Sequence, residues 1–338
     1  MDILLISVGL VLLIAGGELL VRGAATSAER LGMSPLLVGL TIVGFGTSMP
    51  ELVTSVKASL HGSPGIAVGN IVGSNIANSL LIVGVAALIS PLAVSGRALA
   101  RDGVVMLLAA LGLVGVGLTI TPLERGVGAI LVAGLIGYLW YAYIMERRAD
   151  REGHTAAFDK SEAHELVAPV HSGGLAAAAP SMPVTLAAAG LPLAMALSGL
   201  AVVILGGRLV VEGAIGLAHN LGLSETLIGL TIVAVGTSLP ELATSVIAAL
   251  RKQSEVALGN ILGSNIYNIL GIGGVTGLLA PTIIPPELVR FDLIVMLVAT
   301  LALLFFARSG MRIGRTEGAV LLGSYVLYII ASWPTTML

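Results

Sequence analysis

Residues 39–84 read GLTIVGFGTSMPELVTSVKASLHGSPGIAVGNIVGSNIANSLLIVG, and residues 229–274 read GLTIVAVGTSLPELATSVIAALRKQSEVALGNILGSNIYNILGIGG. The stretches align at a constant offset of 190 without a gap, and 28 of their 46 positions are identical. The match extends upstream, where Gly16-Gly17-Glu18-Leu19 aligns with Gly206-Gly207-Arg208-Leu209. Downstream, Pro91 aligns with Pro281 and Asp102 with Asp292. The chain is therefore two copies of one unit.

Each unit is apolar throughout. Of the 338 residues 56% are hydrophobic and only 11% charged, against about a quarter charged in an average soluble domain. So few charges cannot solvate the surface of a soluble globule, and a disordered chain would be far more polar. No alternating pattern of a lipid-facing barrel is present, so the chain reads as an all-α integral membrane protein. A membrane helix needs about 20 apolar residues. Such segments lie near 3–27, 35–60, 66–90, 100–120 and 124–145, then near 187–218, 225–250, 256–280, 290–308 and 315–333. This gives a first five-helix repeat over 1–145, a linker over 146–186 and a second repeat over 187–338. The start, Met1-Asp2-Ile3, lacks the positive region of a cleaved signal peptide, so the first segment is expected to stay. The linker mixes charge with Ala, Ser and Pro and contains His154, His164 and His171. It reads as a flexible connector, because nothing in it can form a core.

Five is odd, so the second copy must enter the bilayer upside down. The charges agree. With both termini outside, the inside loops hold Arg30, Arg97, Arg101, Arg147, Arg148, Arg151, Lys160, Arg251, Lys252, Arg308, Arg312 and Arg315, whereas the outside loops hold only Lys57, Arg125 and Arg290. The linker is then cytoplasmic. Inverted repeats mark secondary transporters, whose sites lie near the bilayer midplane where the halves meet.

The polar residues fall at that depth. The second segment carries Gly46-Thr47-Ser48-Met49-Pro50-Glu51 and the seventh Gly236-Thr237-Ser238-Leu239-Pro240-Glu241. A carboxylate at a helix centre costs about 2.5–3.5 kcal/mol on insertion scales, so each Glu must face protein, water or an ion. Pro50 removes a backbone donor, which breaks the helix and frees carbonyls near Gly46 and Thr47. Thr47, Glu51, Thr54 and Ser55 share one helical face. The third segment adds Asn70, Ser74, Asn75 and Asn78, and the eighth adds Asn260, Ser264, Asn265 and Asn268. The pairs Gly69/Gly73 and Gly259/Gly263 are spaced for close helix packing. The predicted site is all oxygen, which suits hard cations such as Ca²⁺ and Na⁺ rather than Zn²⁺ or Cu⁺. Two carboxylates balance one Ca²⁺ or let several Na⁺ share the cavity, and a site serving either load but never both gives counter-transport.

Other charges read as structural. Glu18 and Arg22, and Arg208 and Glu212 with signs reversed, are spaced as self-compensating i,i+4 pairs. Asp102 and Asp292 fall near helix starts, where the macrodipole favours a negative charge. Trp140, Trp333, Tyr138, Tyr141, Tyr143 and Tyr328 are expected in interfacial belts. Cysteine is absent, which excludes disulfides and thiolate sites. Net charge is −2 with no basic block, so nucleic acid is not an expected partner. No nucleophile with a paired base suggests an enzyme.

The paired motifs GTSxPE and GNxxGSNxxN, at 46–51 with 69–78 and at 236–241 with 259–268, resemble the calcium/cation antiporter superfamily, most closely its prokaryotic sodium/calcium exchanger branch. The resemblance implies alternating access, broken second and seventh helices, and four cation sites between the second, third, seventh and eighth helices. It implies that Glu51 and Glu241 bind the ions and that Thr47 and Thr237 offer backbone carbonyls. Ser48, Ser238, Ser74 and Ser264 would offer hydroxyls, and Gly44 and Ala234 carbonyls to the sodium sites. The first and sixth helices would slide across the rest, and no cofactor is implied beyond the transported Ca²⁺ and Na⁺. Some relatives, including potassium-dependent ones, carry Asp where this chain has Asn268; here both copies have Asn, at Asn78 and Asn268. The driving ion stays open between Na⁺ and H⁺, since carboxylates can carry protons. Oligomeric state is open as well, although one chain suffices to form the site.

Overall fold

The computed structural model describes residues 1–31, 33–96, 99–119, 122–151, 186–220 and 234–332. The three linker histidines and Trp333 lie outside them. The described residues are almost wholly helical: α1 (Asp2–Leu31), α2 (Pro35–Thr47), α3 (Met49–Leu60), α4 (Pro64–Ile89), α5 (Leu99–Leu118), α6 (Arg125–Arg151), α7 (Leu186–Asn220), α8 (Ala234–Thr237), α9 (Leu239–Leu250), α10 (Ser254–Leu279), α11 (Leu288–Gly310) and α12 (Arg315–Ser332). Seven helices among them are long and apolar enough to cross a membrane, or eight if α2 and α3, bent by 42° at Ser48, are one broken span. Helix α6 runs on to Arg151, six residues into the stretch read from sequence as linker.

Burial ranks the helices. In the most apolar window of α4, 78% of residues are buried, and of α10, 83%, whereas α1, α5, α6, α7 and α11 reach only 22–33%. The helices that carry the paired Asn and Ser motifs are thus the most buried, and the others turn much of their apolar surface outward. This inverts the soluble pattern, because lipid solvates Leu and Val but not an amide.

Helices α1 and α7 run antiparallel along a seam of glycines seven residues apart. A Cβ on Gly9 would meet Gly206 O at 2.7 Å, one on Gly16 would meet Val203 N at 2.7 Å, and one on Gly199 would meet Leu20 N at 2.4 Å. Gly23 and Gly213 are as tight, against Ala196 N and Asp2 O. Backbone touches backbone along the seam, a contact that any side chain would prevent. Glu18 on α1 pairs with Arg22 at 2.5 Å, as the spacing predicts, and also with Arg251 beyond the end of α9. Arg208 and Glu212 pair at 2.8 Å.

Short backbone bridges join the connecting segments. Strand β1 (Leu92–Ala93) pairs antiparallel with β2 (Arg312–Ile313), matching Leu92 to Ile313. Leu123 and Thr282 form an isolated bridge. Positions 92 and 282, and 123 and 313, each differ by the repeat offset, so one bridge is the counterpart of the other.

The aspartates fall at helix starts as the sequence suggests, whereas two tyrosines depart from the sequence reading. Asp102 and Asp292 sit in wide π-helical turns, Leu99–Gly103 and Leu288–Asp292, at the starts of α5 and α11. Tyr138 donates to Asp102 Oδ1 at 2.8 Å, and Tyr328 to Asp292 Oδ1 at 2.7 Å. Tyr138 is buried and Tyr328 half-buried, and each hydroxyl is claimed by a carboxylate, wholly buried at Asp102 and half-buried at Asp292, rather than left for a membrane interface. Trp140, Tyr141 and Tyr143 are exposed. Asp102, wholly buried, is also held by Arg101 at 2.6 Å. The equivalent of Arg101 is Phe291, which stacks on Tyr328 instead. Tyr138→Phe should therefore lower stability by about 1.5–3 kcal/mol, the worth of a hydrogen bond to a charged group. Tyr328→Phe should cost less, since water reaches Asp292. Thermal unfolding followed by size exclusion in detergent measures both, and equal losses would contradict the burial argument.

Candidate functional site

The site forms where two helix breaks face each other. Pro50 has no N–H for Gly46 O, and the chain turns at Ser48 with φ −82° and ψ 6° before α3 begins. Ser238 does the same before α9, with φ −88° and ψ 6°. Each break starts a new helix whose first turn holds the Glu, at Glu51 and Glu241.

The two halves cross at these carboxyls. Ser48 donates to Glu241 Oε1 at 3.0 Å, and Ser238 donates to Glu51 Oε1 at 3.2 Å. Each serine thus holds the acid of the opposite half. Glu51 and Glu241 are each 1% exposed, and the second oxygen of each, Oε2, is buried with no partner among the described residues. Two dry carboxyls with an orphaned oxygen apiece are costly unless a cation or proton completes them.

The surrounding oxygens are partly legible in sequence. Ser238 also contacts Ser74 Oγ at 3.3 Å, which brings Ser74 to the site. Ser264 donates to Gly44 O at 3.3 Å, so these two expected ligands bond each other across the halves. Thr47 and Thr237 flank the breaks, with their hydroxyls directed to Asn260 Oδ1 at 3.1 Å and Asn70 Oδ1 at 3.3 Å. Ala234 lies in α8, one turn before the break. Asn78 and Asn268 lie in π-helical turns, Ala77–Ile82 and Tyr267–Gly273, and are 1% and 0% exposed. Neither polar atom of either amide has a partner among the described residues. Such turns recur at functional sites because the extra residue re-aims a side chain.

Asn70 and Asn260 stand among the polar residues that the sequence places at this depth, but sequence reasoning gives them no role of their own. Asn70 Nδ2 donates to Glu51 O at 3.1 Å and Ser55 Oγ at 2.9 Å; Asn260 Nδ2 donates to Glu241 O at 3.3 Å and Ser245 Oγ at 2.9 Å. The usable signal is the identity of Gly-Asn in both copies. Thr54 is half-buried, so of the expected polar stripe Thr47, Glu51 and Ser55 turn most fully inward. Gly259 and Gly263 do pack closely, where a Cβ would lie 2.4 Å from Leu36 O and 2.5 Å from Leu40 O. For Gly69 and Gly73 the equivalent neighbours are at 226 and 230, outside the described residues. Among the described residues no group of three or more His, Asp or Glu could hold a metal. The oxygen donors here are mainly hydroxyls, amides and carbonyls around two acids.

The family model described as sodium/calcium exchanger protein matches residues 1–144 and 191–333. The chain is 35% identical over 355 aligned positions to the sodium/calcium exchanger MaX1 of Methanosarcina acetivorans, covering 97% of each. It is 36% identical to the inner membrane protein YrbG of Escherichia coli, covering 96% of this chain and 94% of that one. A solved structure of the sodium-calcium exchanger NCX_Mj, soaked with 2.5 mM Na⁺ and 0.1 mM Ca²⁺, matches with TM-score 0.80 and 30% identity over 99% of each chain. A sequence repeated within the chain, two crossed acids and a family match over both halves leave one conclusion: the chain belongs to the sodium/calcium exchanger family.

Proposed function

We propose that the protein is a secondary active antiporter that exchanges Na⁺ for Ca²⁺ across the cytoplasmic membrane by alternating access. Its ten membrane helices form two five-helix halves of opposite topology, with both termini outside and the 146–186 connector in the cytoplasm. The bridges support the inversion. The segment between α4 and α5 joins the segment between α11 and α12, and the segment between α5 and α6 joins that between α10 and α11. If α2–α3 and α8–α9 are each one span, such partners share a membrane face only when the halves are inverted.

The observation that carries the reading is the crossed pair Ser48–Glu241 and Ser238–Glu51. It gathers the two acids of both halves into one pocket with Ser74, Ser264, Asn78, Asn268 and the carbonyls of Gly44, Thr47, Ala234 and Thr237. In that pocket Ca²⁺ displaces Na⁺ and Na⁺ displaces Ca²⁺, because both need the same carboxylates. The burial of the two sides differs. Thr47 and Asn260 are fully buried, while Thr237 and Asn70 are half-buried. No second subunit is needed to complete the site.

The test is uptake of radiolabelled Ca²⁺ into proteoliposomes loaded with Na⁺. Uptake should need the Na⁺ gradient and persist with a protonophore. Uptake that follows a pH gradient and collapses with the protonophore would assign proton coupling instead. A further expected result concerns K⁺. With neutral amides at Asn78 and Asn268 the pocket holds two negative charges rather than three, so replacing K⁺ by choline should leave exchange unchanged. Strict K⁺ dependence would overturn that charge count.

A further inference from the structure

We propose that Asn70 and Asn260 are positioning residues of the transport site. Each braces the carboxylate-bearing helix of its own half against the short helical piece that precedes the break in the other half. Asn260, on α10, donates both amide hydrogens to α9, at Glu241 O and Ser245 Oγ, and accepts from Thr47 on α2. Asn70, on α4, does the same for α3, at Glu51 O and Ser55 Oγ, and accepts from Thr237 on α8. The amide orientation is fixed by its neighbours, since a backbone carbonyl can only accept and so must face Nδ2.

The site asparagines thus divide into two kinds. Asn78 and Asn268 have both polar atoms free of protein partners among the described residues, as groups facing the transported ions would. Asn70 and Asn260 have theirs engaged by protein. Asn260 is 0% exposed, so turning its amide away would strand its own donors out of water and cost Ser245 Oγ its partner, while the Thr47 hydroxyl would fall back on Val43 O at 3.0 Å. The braces shape the site in three ways. The carbonyls of Glu51 and Glu241 are occupied by them. The Thr47 and Thr237 hydroxyl hydrogens point at the amides, which fixes how those threonines are turned toward the break. And the spacing between each break and the opposite acid is set by a side chain that touches no ion. The crossed serines then hold the acids at the right distance only while the braces hold the helices.

This inference rests on the exchanger reading, so the experiment has two readouts. Asn260→Ala, Thr47→Val, the double variant and Thr47→Ser are compared in proteoliposomes for Ca²⁺ KM and maximal rate. In detergent they are compared for Ca²⁺-induced thermal stabilisation. Each single variant should raise KM roughly tenfold, the worth of a buried hydrogen bond. Thr47→Ser, which keeps the hydroxyl, should stay near wild type. The double variant should be no worse than the poorer single variant, because both remove one brace. Unchanged KM in the single variants, or penalties that multiply in the double, would overturn the proposal; the second result is what a Thr47 hydroxyl bound directly to the ion would give. Should Asn260→Ala fail to fold, Thr47→Val with Thr237→Val carries the same comparison at nearly constant shape. A wild-type protein that neither transports Ca²⁺ nor is stabilised by it would defeat the exchanger reading. A working wild type with indifferent variants would defeat the braces alone.

Discussion

Glu51→Gln and Glu241→Gln should each abolish measurable exchange. The substitution keeps the shape of the side chain and its bond from the opposite serine, at Ser238 Oγ or Ser48 Oγ, but removes a full charge from a pocket with 1% exposure. A dehydrated divalent cation then meets one negative charge instead of two. Losing one partner of a buried charge pair costs about 2–5 kcal/mol, a weakening of roughly 30- to 4,000-fold in affinity. Folding should suffer little, because a neutral amide is easier to bury than a carboxylate. Na⁺-dependent Ca²⁺ flux in proteoliposomes, with thermal unfolding as the folding control, measures both effects. Either variant retaining normal flux would remove that acid from the transport site.

Gly199→Ala and Gly23→Ala should cause the second-largest losses. A methyl on Gly199 would sit 2.4 Å from Leu20 N, and one on Gly23 equally close to Ala196 N. Backbone cannot rotate aside as a side chain can, so α1 and α7 must separate. Overpacking of this kind costs about 1–3 kcal/mol. Because the seam runs the length of both helices, the misfit should reach the contact of Gly17 with Ile247 on α9 and slow exchange. Gly323→Ala is the control. Among the described residues nothing lies within 4 Å of its added methyl, so it should stabilise α12 by up to about 1 kcal/mol. Melting temperature and flux of the three variants provide the test, and equal behaviour of Gly199→Ala and Gly323→Ala would contradict the steric basis.

The helices and the pocket are legible in sequence for different reasons. Long apolar segments announce themselves, because lipid tolerates nothing else. The pocket is legible because a Glu beside a Pro, in a segment that must cross lipid, is too costly to keep without an ion, a proton or a polar partner to meet it, and because it occurs twice. What sequence conceals are choices made by partners far along the chain. Tyr138 and Tyr328 resemble interfacial tyrosines until Asp102 and Asp292 are seen beside them, 36 residues away in each case. The same holds for Asn70 and Asn260, whose bonds to Thr237 and Thr47 cross 167 and 213 residues. The wide turns at Asn78 and Asn268 carry no Gly or Pro signal at their start and depend on packing. Arg251 joins Glu18 over 233 residues, where spacing alone points only to Arg22.

The glycine seam has a property beyond its tightness. Gly9 meets Gly206, and Gly16 meets Gly199. Adding the repeat offset to one contact returns the other, so exchanging the helices leaves the pattern unchanged. That is the signature of a two-fold, self-complementary surface, in which a patch recognises its own copy. A gene encoding a single half already specifies both faces of such a junction. Each half contributes one helix to the junction, and the two helices offer each other the same row of glycines.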